Sequence, residues 1–248
     1  MSYKSRYLVL LPAYNEEECI GEVISDIVAC LSDGEGRVLV VDDGSSDSTS
    51  AIVREFPPEK VVLVRHAVNR GLAKALDTGF RQAYRMLPSF DALITMDADG
   101  THPAAIIPSM LRKVDEGAGL VVASRYVQGG RQLNVPWFRR TLSRAVNLAL
   151  QIRFLLPVRD CTSGFRCYSA ETLRGMVTDV QRDLLCSAGF EASSELLLLA
   201  RKAAKSVCEV PLVLDYGPRI GKSKMKVSRT IQSYVRLLVA GPSQRENT

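Results

Sequence analysis

Five short, apolar, β-branched runs are the feature that most constrains how this chain can fold. A run of this kind predicts a buried strand, and the stretches between the runs have helical character. Alternation of strands and helices predicts an α/β fold with a mostly parallel sheet and helices on both faces. The predicted strands cover residues 7–11, 38–41, 61–64, 92–96 and 120–124, and the predicted helices cover 16–31, 48–55, 72–87 and 103–116.

Length and composition narrow the class of protein. The 248 residues contain 46% hydrophobic and 24% charged residues, which is enough apolar surface to build a core and excludes disorder as the main state. No stretch approaches the ~20 apolar residues of a membrane-spanning helix, and the polar start does not predict a signal peptide. The six cysteines lack CxxC spacing, so we expect reduced thiols and no zinc site.

The functional site is expected where the strands end. In parallel sheets, ligands bind beyond the carboxyl ends of the strands. Four acids, Asp42, Asp43, Asp97 and Asp99, follow the second and fourth predicted strands, which we expect to be neighbours. Converging carboxylates repel one another unless a cation neutralises them. Asn15 is the expected N-cap of the first helix, and Pro103 fits a first helical position.

The unit Asp97-Ala98-Asp99 points to a metal. Residues i and i+2 of an extended segment face the same side, so both carboxylates can bind one hard cation. Mg²⁺ is usually held by one or two carboxylates together with substrate phosphates. The spacing therefore predicts Mg²⁺ or Mn²⁺ bound with a diphosphate. His102 is either a further ligand or a residue of the loop.

Three common nucleotide-binding and catalytic motifs are missing from the sequence. The sequence has no GxxxxGK[ST] loop, no GxGxxG after the first strand and no GxSxG elbow, which argues against a P-loop ATPase, a dinucleotide dehydrogenase and an α/β-hydrolase.

Basic residues are concentrated late in the chain. Residues 125–166 hold eight arginines and one acid. Such a block is a solvated face, or it binds phosphates or an anionic membrane. Few aromatic residues accompany it, so we expect no nucleic acid partner.

Eight sequence motifs follow one another along the chain. They are LPAYNEEE (11–18), VVDDGSSDST (40–49), NRGLAKALDTGF (69–80), MDADGTHP (96–103), ASRYVQGG (123–130), DCTSGFRCY (160–168), GFEASSEL (189–196) and RIGKSKM (219–225). Taken together, they resemble those of the family 2 inverting glycosyltransferases, which have the GT-A fold. The last three look like the branch that uses polyprenyl phosphates, which includes dolichyl-phosphate mannose synthases and undecaprenyl-phosphate sugar transferases. The resemblance covers residues 7–230 and rests on order and spacing.

The resemblance implies a single Rossmann-like GT-A domain over residues 1–230. Its nucleotide-sugar half covers about 1–125 and its acceptor half about 126–230, and residues 231–248 form the end of a helix and a tail. It also implies the site residues. The nucleotide-sugar set is Pro12, Ala13, Tyr14, Glu16, Val41, Asp43, Asp97, Ala98, Asp99, Arg125 and Arg219; the metal pair is Asp97 and Asp99; the catalytic set is Asp99, Arg125, Arg139 and Glu195; and the acceptor-phosphate set is Arg139, Ser143, Arg219 and Lys224.

The implied reaction is metal-dependent, inverting transfer of a hexose from a GDP-mannose or UDP-glucose type of donor to a polyprenyl or dolichyl monophosphate. A lipid phosphate is already anionic at neutral pH, so the reaction needs little or no general base. Helices predicted over 137–154 and 223–239 have apolar faces with flanking basic residues. Such helices either pack on the core or lie on a membrane surface. We expect a cytoplasmic protein, peripheral to a membrane, where an integral membrane partner is an alternative way to present the lipid.

Three alternatives remain open at this point. A family 2 transferase that acts on a saccharide hydroxyl needs a carboxylate base, and Asp160 or Glu195 could supply it. A nucleotidyltransferase would usually carry a glycine-rich signature, which residues 11–18 lack. A non-catalytic nucleotide-sugar binder would not need the aspartate pair and the arginines.

Overall fold

The computed structural model describes residues 6–30, 36–185, 189, 191–217 and 227–241 of the chain. Its first half alternates strands and helices as predicted. The first helix, however, begins at Ile20 rather than at residue 16. In chain order the elements are β1 (Tyr7–Ala13), α1 (Ile20–Cys30), β2 (Gly36–Asp42), α2 (Thr49–Arg54), β3 (Val61–Arg65), α3 (Leu72–Arg85) and β4 (Ala92–Thr95).

The second half adds helices and shorter strands. A 3-10 turn over Ala104–Ile106 leads into α4, and the long helix α5 coincides with the predicted helix over 137–154. The elements are α4 (Ile107–Asp115), β5 (Leu120–Ser124), β6 (Arg131–Leu133), α5 (Trp137–Phe154), β7 (Arg166–Ser169), α6 (Ala170–Met176), α7 (Ala192–Ala203), β8 (Val207–Pro211), β9 (Val213–Asp215) and α8 (Val227–Ala240).

Seven of the described strands form one sheet in the order β3-β2-β1-β4-β7-β5-β8. β7 runs antiparallel to β4 and β5, and the other pairs are parallel, which confirms the predicted mostly parallel sheet. The order corrects one expectation, because β1 lies between β2 and β4 and the two acidic strand ends are therefore not neighbours. A small parallel pair, β6 with β9, stands apart from this sheet.

Alternate residues of the central strands build two cores. On β1, Leu8 and Leu10 pack with Phe80 of α3 on one face, whereas Val9 and Leu11 pack with Ile24 of α1 on the other. Successive side chains of a strand point to opposite faces, so strands covered on both sides are apolar throughout. This double burial explains why the strands appear in the sequence as continuous apolar runs.

The antiparallel direction of β7 matters for the site. Parallel strands β1, β2, β4 and β5 all end at the same edge of the sheet, while β7 begins there. The segment just before β7, residues 160–165, therefore reaches the edge where Asp97 and Arg125 follow β4 and β5. The boundary expected between residues 230 and 231 falls inside α8.

Candidate functional site

A cavity of about 570 Å³ opens at the carboxyl edge of the sheet. Its volume lies within the range of pockets that hold cofactors and small substrates, ~300–1,000 Å³. Both halves of the chain line it, through the end of β1, the residues that follow β4 and β5, and one side each of α5 and α8. The predicted site residues in its wall are Pro12, Ala13, Tyr14, Glu16, Asp43, Asp97, Ala98, Asp99, Arg125, Arg139 and Ser143.

The remaining predicted residues are placed differently. Val41 is fully buried in β2, and Glu195 is buried in the first turn of α7; neither belongs to the described lining of the cavity. Their direct roles in binding and catalysis stay predictions. Arg219 and Lys224 lie outside the described residues.

The loops after β1 and β2 hold each other in place at one end of the cavity. Asn15 does not cap α1. Its φ of 52° is left-handed, its N–H donates to Ser45 Oγ (2.9 Å), and its Oδ1 accepts from the backbone N–H of Ser46 (2.9 Å). An asparagine tolerates this backbone region better than most residues. Asn15 thus joins the two loops that present Tyr14 and Asp43, instead of starting the helix.

The two acids after β2 have different surroundings. Asp43 lines the cavity, and its carboxylate accepts the N–H groups of Arg70 (2.9 Å) and Gly71 (2.7 Å) as well as contacting His66 Nδ1 (2.6 Å). It therefore fixes the loop that precedes α3. Asp42 is fully buried, pairs with Arg65 (3.3 Å) and is absent from the described lining. Only three of the four acids expected at the site reach the cavity.

Asp97 and Asp99 line the same cavity, as the i, i+2 spacing predicts. About half of the Asp97 side chain is exposed. Asp99 Oδ1 accepts from both the N–H (3.1 Å) and the hydroxyl (2.6 Å) of Thr101, so a tight turn that passes through Gly100 orients its carboxylate. Gly100 has a φ of 74°, a conformation that favours glycine.

His102 contacts both the backbone and the carboxylate of Asp97. Its Nδ1 accepts the backbone N–H of Asp97 (3.0 Å), its Nε2 lies 3.8 Å from Asp97 Oδ2, and its ring stacks on Phe165. Because Nδ1 accepts a hydrogen bond, the neutral ring carries its proton on Nε2. The side chain is only 5% exposed. This geometry makes His102 a residue that orients Asp97.

The aspartate pair fits a divalent cation that shares its ligands with a substrate. Among the described residues, no group of three or more His, Cys, Asp or Glu side chains could hold a metal ion. Mg²⁺ does not require such a cage, since one or two carboxylates and substrate phosphates suffice. The half-exposed carboxylate of Asp97 and the oriented carboxylate of Asp99 supply oxygen ligands of this kind.

Arg125 forms a buried, bidentate ion pair with Asp160. Its Nε and Nη2 donate to Oδ2 (2.7 Å) and Oδ1 (2.6 Å), and Nη2 also donates to Thr162 Oγ1 (2.7 Å). Burial opposes ionisation of both groups, but their mutual charge and hydrogen bonds outweigh it. The pKa of Asp160 therefore lies below, and the pKa of Arg125 above, the ordinary value. Asp160 is thus a weak base and is fully buried.

A chain of polar side chains connects this pair to α5. Asn147, 2% exposed, donates to Thr162 Oγ1 (3.1 Å) and accepts the backbone N–H of Cys161 (2.6 Å). Ser143 Oγ lies 2.8 Å from the hydroxyl of Tyr126. Asn147, Thr162 and Tyr126 were not among the predicted site residues. The available signal was a polar residue at position 147 in an otherwise apolar stretch of α5.

Arg139 faces the cavity from α5. Its Nε is buried and has no hydrogen-bond partner among the described residues. The cavity wall beside it is apolar and includes Leu142, Val146 and Ile231. A cationic group next to an apolar wall suits a ligand with an anionic head and a hydrocarbon body.

The outer faces of α5 and α8 are apolar as well. Arg153 Nε of α5 donates to the carbonyl of Leu238 in α8 (3.0 Å), so the two helices are in contact. No helix in the described part of the chain is both long and apolar enough to cross a bilayer. The exposed apolar residues on the two helices are Trp137, Phe138, Leu148, Ile152, Ile231, Val235 and Val239.

Comparison with known proteins identifies relatives over most of the chain. A family model described as Glycosyl transferase family 2 matches residues 8–176. The polyprenol monophosphomannose synthase of Mycolicibacterium smegmatis is 34% identical over 227 residues, which cover 90% of this chain and 82% of the relative. The undecaprenyl-phosphate mannosyltransferase of Micrococcus luteus is 33% identical over 222 residues, which cover 89% of this chain and 87% of the relative.

A solved structure has the same fold. The glucosyl-3-phosphoglycerate synthase from Mycobacterium tuberculosis, in complex with Mn²⁺, uridine diphosphate and phosphoglyceric acid, aligns with a TM-score of 0.67 and 20% identity. The alignment covers 97% of this chain and 80% of the synthase. This likeness confirms the GT-A fold that the sequence motifs implied.

Proposed function

The chain belongs to glycosyl transferase family 2 and is a glycosyltransferase, and from this premise we propose that it transfers a hexose from a nucleotide sugar to a polyprenyl monophosphate. One observation carries the proposal. A single cavity holds an aspartate pair on the sheet side and the cationic Arg139 beside an apolar wall on the helix side. Relatives named for transfer of mannose to polyprenol or undecaprenyl phosphate support this choice of acceptor.

The donor occupies the part of the cavity nearest the sheet. Tyr14, Glu16 and Asp43 face its nucleoside, and Asp97 and Asp99 would hold the Mg²⁺ or Mn²⁺ that accompanies its diphosphate. When bound, the metal stabilises the negative charge that builds up on the departing nucleoside diphosphate. GDP-mannose and UDP-glucose are the donor types to test first.

The acceptor phosphate lies between the donor and α5. The buried Nε–H of Arg139 has no hydrogen-bond partner within the described parts of the chain, and Ser143 stands one helical turn further along the same face of α5. A guanidinium group and a hydroxyl are suitable donors to phosphate oxygens. Arg125 lines the same wall, but Asp160 offsets its charge through two hydrogen bonds, so its proposed part in the reaction is to hold this wall in place.

The surroundings of Asp160 and Glu195, the two carboxylates considered as bases, favour a phosphate over a sugar hydroxyl as nucleophile. A hydroxyl acceptor requires a carboxylate that can take up its proton. Asp160 is buried, paired with Arg125 and has a lowered pKa, so it is unsuited to that role. Glu195 does not reach the described lining. An anionic phosphate oxygen can attack the anomeric carbon directly, and in-line attack inverts its configuration.

The outer faces of α5 and α8 are proposed to rest on the surface of a membrane that supplies the lipid. Their apolar residues are accompanied by Arg140, Arg144 and Arg236, which are exposed and attract anionic headgroups. The proposed location is therefore peripheral, at the cytoplasmic face of that membrane. An integral membrane partner that presents the lipid is the alternative.

The deciding experiment compares two acceptors that differ only in the phosphate. The purified protein is incubated with labelled GDP-mannose or UDP-glucose, Mn²⁺, and either a polyprenyl phosphate or the corresponding polyprenol in detergent. We expect a lipid-linked sugar with the phosphate only. Transfer to the polyprenol or to a saccharide, with none to the phosphate, would contradict the proposal.

A further inference from the structure

Arg166 lies at the edge of the sheet that carries the cavity. It is the first residue of β7, pairs in register with Thr95 of β4 and Val122 of β5, and is completely buried. A buried guanidinium group is costly unless its N–H groups find partners. The proposed sugar transfer gives Arg166 no direct part, so its burial needs a different explanation.

The hydrogen bonds of Arg166 join two segments of the cavity wall. Nη2 donates to the carbonyl of Cys161 (3.0 Å) in the turn before β7, and Nη1 donates to the carbonyl of Ser193 at the start of α7. Ser194 Oγ donates to the same carbonyl of Cys161 (3.0 Å). The planar guanidinium fork suits two acceptors that diverge in this way, whereas a lysine ammonium group cannot reproduce it.

These two segments border the metal-binding aspartate. A Cβ atom placed on Gly164 would lie 3.4 Å from Asp97 Oδ1 and 3.6 Å from Ser193 Oγ. Arg166, Asp97, Gly164 and Ser193 also border one narrow gap of about 10 Å³. The carbonyl of Gly164 also accepts a hydrogen bond from Thr95 Oγ1 (2.7 Å), two residues before Asp97. A displacement of the turn would therefore be transmitted to the end of β4 and to Asp97.

We propose that Arg166 is a positioning residue for the donor site: its buried guanidinium holds the turn over residues 160–165 against α7 and thereby fixes the wall that borders the Asp97 carboxylate. Arg166 has no direct part in binding the substrate or the metal. It acts through the turn that contains Gly164 and through Ser193. The inference rests on the proposed role of Asp97 in holding the cation of the donor diphosphate. Groups that hydrogen-bond a metal ligand change metal affinity or activity by ~10–100-fold when altered, and we expect Arg166, one step further away, to act at the lower end of this range.

The test measures binding of Mn²⁺ without requiring turnover. Equilibrium dialysis or electron paramagnetic resonance gives the dissociation constant of Mn²⁺ in the presence of GDP or UDP for the wild type and for Arg166→Lys. We expect the constant to rise about 10-fold in Arg166→Lys. Arg201→Lys, the same exchange at an exposed position of α7, is the matched control and should leave the constant unchanged.

The outcomes separate this inference from the proposed function. If the wild type binds no Mn²⁺ with either nucleotide, the metal role of Asp97 fails and the inference fails with it. If the wild type binds Mn²⁺ and folded Arg166→Lys binds it equally well, only the inference is overturned, even where the melting temperature has fallen. If Arg166→Lys does not fold, Arg166→Gln decides, because it removes the buried charge and the guanidinium fork that joins the Cys161 and Ser193 carbonyls. A raised constant in folded Arg166→Gln supports the inference, and an unchanged one overturns it.

Discussion

Arg125 and Asp160 form a two-pronged ion pair at the base of the cavity, with Nε 2.7 Å from Oδ2 and Nη2 2.6 Å from Oδ1. The Asp160 side chain is fully buried and that of Arg125 is 12% exposed. Asp160 also accepts the backbone N–H groups of Arg125 (3.0 Å) and Ser163 (3.1 Å). The pair thus ties the end of β5 to the turn before β7, and it determines where the wall of the site lies.

Asp160→Asn should destabilise the fold by about 3–5 kcal/mol, because it leaves the guanidinium of Arg125 buried without a counter-charge. Urea unfolding at neutral pH measures the change. Asp91→Asn is the control, since Asp91 pairs with Arg6 where both side chains are about half exposed. Exposed pairs contribute ~0–1 kcal/mol. Equal losses in the two variants would contradict the structural role of the buried pair.

The contribution of Asp160 should depend on pH in one direction. A carboxyl group whose pKa is lowered by folding stabilises the protein at pH values above its unfolded pKa of ~3.9. This stabilisation is lost as the pH falls through the lower pKa of the folded state. Burial raises the pKa of Asp160, but the charge and hydrogen bonds of Arg125 lower it by more, so the net shift is downward. The difference in unfolding free energy between wild type and Asp160→Asn should therefore be constant above about pH 5 and shrink below about pH 4. A difference that persists undiminished to pH 3 would be inconsistent with the ion pair.

Asp99→Ala should abolish sugar transfer while the protein remains folded. The substitution removes a proposed metal ligand whose carboxylate is oriented by Thr101 and half buried at the cavity. Transfer rates at saturating Mn²⁺, together with a circular dichroism spectrum, measure the two effects. Asp26→Ala on the exposed side of α1 should retain the wild-type rate. Full activity of Asp99→Ala, or of the wild type in excess chelator, would rule out the metal role.

Arg139→Ala should weaken the acceptor more than the donor. A charged hydrogen bond to phosphate contributes ~1.5–3 kcal/mol, so we expect the KM for the polyprenyl phosphate to rise about 10–100-fold. The KM for the nucleotide sugar should change much less. The neighbouring Arg140 is exposed and absent from the described cavity wall, so Arg140→Ala serves as the control in a detergent assay. A rise in the KM for the nucleotide sugar alone would show that Arg139 binds the donor and not the acceptor, which would contradict the proposal.

Ile152→Glu should reduce binding to anionic vesicles. Ile152 is 68% exposed on the outer face of α5, and burying such a side chain in a membrane surface contributes ~1.5–3 kcal/mol. In a sedimentation assay at low salt, the partition constant of Ile152→Glu should be at least about tenfold lower than that of the wild type. Val68→Glu is the matched control, because Val68 is 67% exposed in a loop before α3. If both variants bind as the wild type does, α5 does not contact the membrane.

The amino-acid sequence by itself determined the strands, most helices and the acidic and basic motifs. Strands buried on both faces are continuous apolar runs, and α5 was predicted to the residue, because local periodicity carries this information. The i, i+2 spacing of Asp97 and Asp99 likewise follows from the pleat of an extended segment. Ordered motifs then identified the family without any tertiary information.

Only the tertiary structure decided which charged groups share an environment. The sequence cannot reveal that β7 inserts between β4 and β5, because strand order depends on long-range packing. That insertion brings Asp160 to Arg125, which turns a candidate base into a buried counter-ion. It also places Arg166 behind Asp97. Local pattern fixes which face a side chain takes, whereas its partner and pKa depend on chain segments that lie far away in sequence.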